Sequence, residues 1–183
     1  MPPGFHYIWY KESRTMKYKI KRQQFNSRRC FVCGMDNAHG LRARFYETED
    51  NELISVFTPE DHHQSYPNRM HGGAIAAMLD ETIGRAICAH YGDMVWGVTL
   101  ELTTRYKKQV PLEQELKVIG RITVDHGRFF QGTGELILPN GEVAATAEGK
   151  YMKMAVKDIS GESFVDNEWG LLPDGEMPAE IEL

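Results

Sequence analysis

The run from Gly72 to about Tyr91 constrains the fold more than any other part of the chain. It reads Gly-Gly-Ala-Ile-Ala-Ala-Met-Leu-Asp-Glu-Thr-Ile-Gly-Arg-Ala-Ile-Cys-Ala-His-Tyr. It is rich in alanine and apolar around most of its circumference, so it predicts a helix buried on most sides. Twenty such residues span roughly 30 Å. Gly92-Asp93 is the expected stop. The uninterrupted apolar stretch, Gly72 to Leu79, ends at Asp80. That is far short of the roughly 18–20 residues a membrane-spanning helix needs, so no membrane role is expected and other segments of the chain must cover the helix.

The covering segments read as strands. Leu41 to Tyr46 and Leu53 to Thr58 are split by Glu49-Asp50-Asn51, and Pro59 ends the second. A loop from Glu60 to Met70 leads into the helix. Beyond it, Trp96 to Tyr106 and Leu116 to Val124 alternate apolar and polar residues. Arg128 to Leu138 follows His126-Gly127. Val143 to Met154 follows Pro139-Asn140-Gly141, a hairpin signal. Short connections imply an antiparallel meander, and a nine-residue strand matches the helix in length at about 30 Å. The expectation is an α+β domain: a six-stranded antiparallel sheet wrapped round one long central helix.

Length and charge set the expected bounds. A chain of 183 residues, 42% hydrophobic and 26% charged, suits one soluble domain. Up to Arg29 there are eight basic residues against Glu12, and after Lys157 eight acidic residues and no basic one. We therefore read 1–29 as a basic N-terminal extension, 30–157 as the domain and 158–183 as an acidic C-terminal tail, both ends solvated or paired with each other. The arm carries no recognition motif and the net charge is −5, so no nucleic-acid partner is expected. Three cysteines and no secretory signal suggest reduced thiols and a cytoplasmic location.

Chemistry concentrates where the helix begins. Gly72-Gly73 leaves the first backbone N–H groups uncovered, and with the helix dipole they favour negative charge. That suits an oxyanion on a carbonyl, or merely a turn into a packed helix. Asp80 shares a helix face with Gly73, Ala76, Ala77, Ile83, Gly84 and Ile87. A carboxylate in such a stripe needs a partner or a role. Glu81 has Arg85 four residues on, the spacing of a surface ion pair. Cys30 and Cys33 form half a zinc motif with no second half, so a packed thiol pair is preferred and no metal is expected. Asp61-His62-His63 reads as loop.

His71 to Asp80, Thr99 to Leu112, and the opening Cys30-Phe31-Val32-Cys33-Gly34 with Asn37 and Gly40-Leu41 together resemble the hotdog-fold acyl-CoA thioesterases of the phenylacetate-degradation type. The likeness covers roughly Cys30 to Met154. It implies hydrolysis of an acyl-CoA thioester, no cofactor beyond the coenzyme A of the substrate, and a homodimer or dimer of dimers. It also implies that Gly72 polarises the thioester carbonyl, that Asp80 is general base or nucleophile, and that Thr99 positions the attacking water. Alternation puts Thr99 on the polar face of its strand, beside Glu101. His71, Gly73, Gln64 and Asn68 are the candidate substrate contacts, with Ser65 standing where many members have asparagine. Lys107 and Arg128 are candidates for coenzyme A phosphates. The rival expectation is a non-catalytic acyl-CoA-binding or regulatory module on the same fold.

Overall fold

A computed structural model describes residues 16–161, 168–170 and 176–183. The first fifteen residues of the basic arm, and 162–167 and 171–175 of the acidic tail, lie outside them. The described strands are β1 (Lys17–Gln23), β2 (Asn26–Ser27), β3 (Arg44–Thr48), β4 (Leu53–Phe57), β5 (Val95–Tyr106), β6 (Leu116–His126), β7 (Phe129–Ile137), β8 (Val143–Ala155), β9 (Trp169–Gly170) and β10 (Glu180–Glu182). The helices are α1 (Gly72–Arg85), α2 (Cys88–Tyr91) and α3 (Val156–Ser160). Eight strands make one antiparallel sheet in the order β10-β1-β3-β4-β6-β7-β8-β5, and β2 pairs with β9.

The sheet curls round α1, as expected of an all-round apolar helix. Met78, Leu79 and Ile83 have no exposed surface, and they share one core with Phe45, Leu53, Leu116, Phe130 and Tyr151. Close approach depends on missing side chains in the sheet. A Cβ on Gly132 would lie 2.6 Å from Ile83 Cγ2, and one on Gly120 would lie 2.8 Å from the Thr82 carbonyl oxygen. The β6–β7 and β7–β8 turns use Gly127 (φ 56°) and Gly141 (φ 79°), a left-handed backbone suited to glycine.

Three expectations are corrected. The helix is not continuous to Tyr91. Ala86 N–H is shared between the Ile83 and Thr82 carbonyls at 3.2 Å each, and the spacing tightens before α2 begins. The sheet has eight strands rather than six, because β1 and β10 add to the β3 edge. The domain bounds 30–157 therefore leave out part of the sheet. The lysines of β1 alternate with Tyr18 and Ile20, which join Tyr46, Ile54, Ile119 and Ile181 in a second core on the outer face. Arg22 then locks β1 in place, bonding the Glu47 carboxylate (2.6 and 2.8 Å) and the Asp93 carboxylate (2.8 Å twice).

Candidate active site

Asp80 leaves α1 toward β5 and β8. Thr99 Oγ1 donates to its carboxylate at 2.9 Å (Oδ1) and 3.2 Å (Oδ2), and the Tyr151 hydroxyl donates to Oδ1 at 3.0 Å. Thr99 does not share a face with Glu101. The β5–β8 register shifts between them, and an inserted residue turns Thr99 toward Asp80 while Glu101 bonds Lys150 at 2.6 Å. Sequence reasoning missed Tyr151. It is fully buried and stacks on Phe130, with ring centroids 4.9 Å apart. Its ring lies over two glycines, 3.3 Å from a Cβ built on Gly84 and 2.4 Å from one on Gly149. Burial, then the Asp80 charge, pushes the Tyr151 phenol well up, so it stays protonated and donates. The carboxylate opens on a cavity of about 280 Å³ that Thr99, Glu81, Cys30, Arg85 and Trp96 also line.

Glu81 forms the expected pair with Arg85 (3.1 Å), but not at the surface: the two side chains are 20% and 11% exposed. Arg85 lies over the Phe45 ring at 4.3 Å. The Cys30 thiol donates to the other Glu81 oxygen at 3.1 Å. Burial pushes the Glu81 carboxyl up to about 8, against the pull of Arg85. One donor atom each from Cys30, Cys33 and Glu81 lies within 4.8 Å of the others.

The start of α1 opens elsewhere. His71 is its N-cap, with Nδ1 accepting the Gly73 N–H at 2.9 Å. The Tyr106 hydroxyl donates to the Gly72 carbonyl at 2.8 Å. The Gly73 N–H is thus taken, while that of Gly72 meets no acceptor among the described residues. A cavity of about 460 Å³ here is lined by His71, Gly73, Gln64, His39, His63 and Phe31, among others. The Gln64 side-chain oxygen accepts the Asn68 N–H at 2.7 Å, holding Asn68 at φ 60°. Asp61 to His63 form a 3-10 turn rather than irregular loop, because His63 Nδ1 caps the Glu60 N–H at 2.8 Å. Asn68, Lys107 and Arg128 line neither cavity. Eight residues of helix, about 12 Å, separate Gly72 from Asp80.

Residues 68–137 match a family profile described as the thioesterase superfamily. Acyl-coenzyme A thioesterase THEM4 of Rattus norvegicus is 31% identical over 113 residues, 61% of this chain and 47% of that protein. The chain thus spans about half the length of this curated relative. The solved structure of a thioesterase superfamily protein, RHA08564, superposes with a TM-score of 0.62 at 29% identity, covering 68% of this chain and 60% of the other. The E. coli PaaI protein of the phenylacetic acid degradation operon shares the fold, with a TM-score of 0.57 at 12% identity over 63% of this chain and 81% of its own. Among the described residues, no helix is long and apolar enough to cross a membrane.

Proposed function

We propose that this chain is a hotdog-fold thioesterase that hydrolyses an acyl-coenzyme A thioester to the free acid and coenzyme A. The observation that carries the reading is the Asp80 carboxylate, gripped by two hydroxyls at 2.9 and 3.0 Å on the wall of a cavity. In this reading the thioester oxygen takes the spare Gly72 N–H at the positive end of α1, which polarises the carbonyl. Asp80 removes a proton from the attacking water, or attacks the carbon itself. Thr99 and Tyr151 hold the carboxylate aimed, and Thr99 lies close enough to help seat the water. His71 holds the loop that presents Gly72, with Gly73 and Gln64 beside the acyl carbonyl. The scheme assigns no metal and no cofactor beyond the coenzyme A of the substrate.

The same reading requires two copies. Gly72 and Asp80 of one chain lie about 12 Å apart along α1, and Gly72 does not line the Asp80 cavity, so one thioester cannot meet both. Strand β5 ends the sheet with an unpaired edge, exposing Leu100 (56%) and Tyr106 (53%). Pairing β5 with its copy about a two-fold axis sets the helices antiparallel and brings the partner's carboxylate toward Gly72. Two such pairs would make a dimer of dimers. Asn68, Lys107 and Arg128 are then left for the coenzyme A portion outside the cavities.

The test is thiol release from short, long and aromatic acyl-coenzyme A esters by wild type and Asp80→Asn. Wild type should turn over at least one class. The variant should bind it yet be roughly 100-fold slower or worse, as when a general base is lost. Binding without turnover by wild type across the panel would favour a non-catalytic acyl-CoA-binding module.

A further inference from the structure

The scheme above leaves one group of reactive side chains without a task. Cys30 and Cys33 bracket a tight turn in which the Gly34 N–H returns to the Cys30 carbonyl at 2.9 Å. The two sulfurs lie within 4.8 Å. Both residues line the Asp80 cavity, Cys30 partly exposed and Cys33 only 2% exposed. Cys30 Sγ accepts the N–H groups of Val32 (3.2 Å) and Cys33 (3.5 Å), a setting that stabilises a thiolate. Glu81 waits 3.1 Å away on the cavity side.

We propose that Cys30 and Cys33 are a reversible dithiol–disulfide pair that exchanges with low-molecular-weight disulfides entering the Asp80 cavity. Cys30 gives its proton to solvent water and attacks one sulfur of RS–SR. The first RS⁻ leaves, takes up a proton, and a mixed disulfide remains on Cys30. Cys33 then loses its proton and attacks the Cys30 sulfur, expelling the second RS⁻. The protein loses two electrons and two protons, and RS–SR gains them as two RSH. The polarity is built in. The Cys33 S–H bonds to the Cys30 sulfur, drawing the Cys30 thiol below its ordinary range and pushing Cys33 above it. Arg85 favours this chemistry over metal binding: its fixed positive charge already touches Glu81 at 3.1 Å and the Cys33 sulfur at 3.5 Å.

Intact mass after incubation of the full chain with glutathione disulfide, acid quench and alkylation tests the pair. Wild type should lose about 2 Da and two alkylation sites. Cys88, buried and pushed up to about 12, should stay alkylatable once unfolded. Cys33→Ser should stop at a stable glutathione adduct on Cys30, and Cys30→Ser should neither close nor form the adduct at Cys33. The pair is refuted by three alkylatable thiols in oxidised wild type, by an adduct that never closes, by ready reaction of Cys33 without Cys30, or by a tightly held zinc ion shielding both sulfurs. The effect on hydrolysis does rest on the proposed function: a glutathionyl group on Cys30 fills space beside Asp80 and should lower turnover. The mass signature stands whether or not the chain hydrolyses thioesters.

Discussion

Tyr151 joins the core to the chemistry. Its ring is locked by Phe130 and by two glycines, so its hydroxyl has one place to point. Tyr151→Phe keeps the ring and the stack and removes only the bond to Asp80. A hydrogen bond to a charged group is worth about 1.5–3 kcal/mol. Turnover should fall about tenfold or more with a small change in melting temperature, and unchanged kcat would reduce the residue to packing. Glu81 gives a separate handle. Its carboxyl is held at about 8, against an ordinary value of 4.5. Between those values the folded chain binds more protons than the unfolded one, so this group lowers stability as pH rises from about 4.5 to 8 and adds nothing further above. Glu81→Gln, neutral throughout, should melt with a flatter pH dependence over that window. Asp80 stood out as a candidate because a carboxylate in a stripe of small and apolar residues is conspicuous within one helix, and the family resemblance supplied its expected role. Tyr151 and Cys30 were not: each meets its carboxylate across 71 and 51 residues of chain, and no local period encodes that.

Strands β3 to β8 could be read from the sequence, the first two as short apolar runs buried almost throughout, as could the glycine turns between β6, β7 and β8. Strand β1 alternates, but its lysines made it look like a solvated arm. Its partner β10 is three residues long and lies at the opposite end of the chain. The bulge that turns Thr99 toward Asp80 left no mark in the alternation, and no proline announces the tightening at Ala86. The outer core makes β10 testable. Ile181 is 6% exposed against Tyr18 and Ile54. Ile181→Ala should cost about 2 kcal/mol, the low end for a buried isoleucine, measured by urea unfolding. Thioester hydrolysis by the folded fraction should persist, since β10 lies at the far edge of the sheet from β5.

At the scale of the whole molecule, the proposed pairing makes each site depend on two chains. Asp80→Asn and Gly72→Pro homodimers should each be nearly inactive. After subunit exchange, a mixed dimer holds one intact site, built from the Gly72 of one chain and the Asp80 of the other. Activity should return to a fraction of wild type. Exchange proved by mass with no recovery, or an active monomer, would end the shared-site reading. The two edges of the sheet are unequal in a way that bears on solubility. Strand β5 offers twelve residues of open backbone, whereas β10 offers three, with Glu180 and Glu182 pointing outward and Lys17 bonded to Glu182 at 2.9 Å. Short, charged strands resist edge-to-edge addition. Once β5 meets its copy, both ends of the joined sheet are β10, and neither invites another molecule. Under the proposed pairing, edge-to-edge growth would stop at two chains per sheet, and a chain with a long exposed strand would escape the open-ended stacking that leads to fibrils.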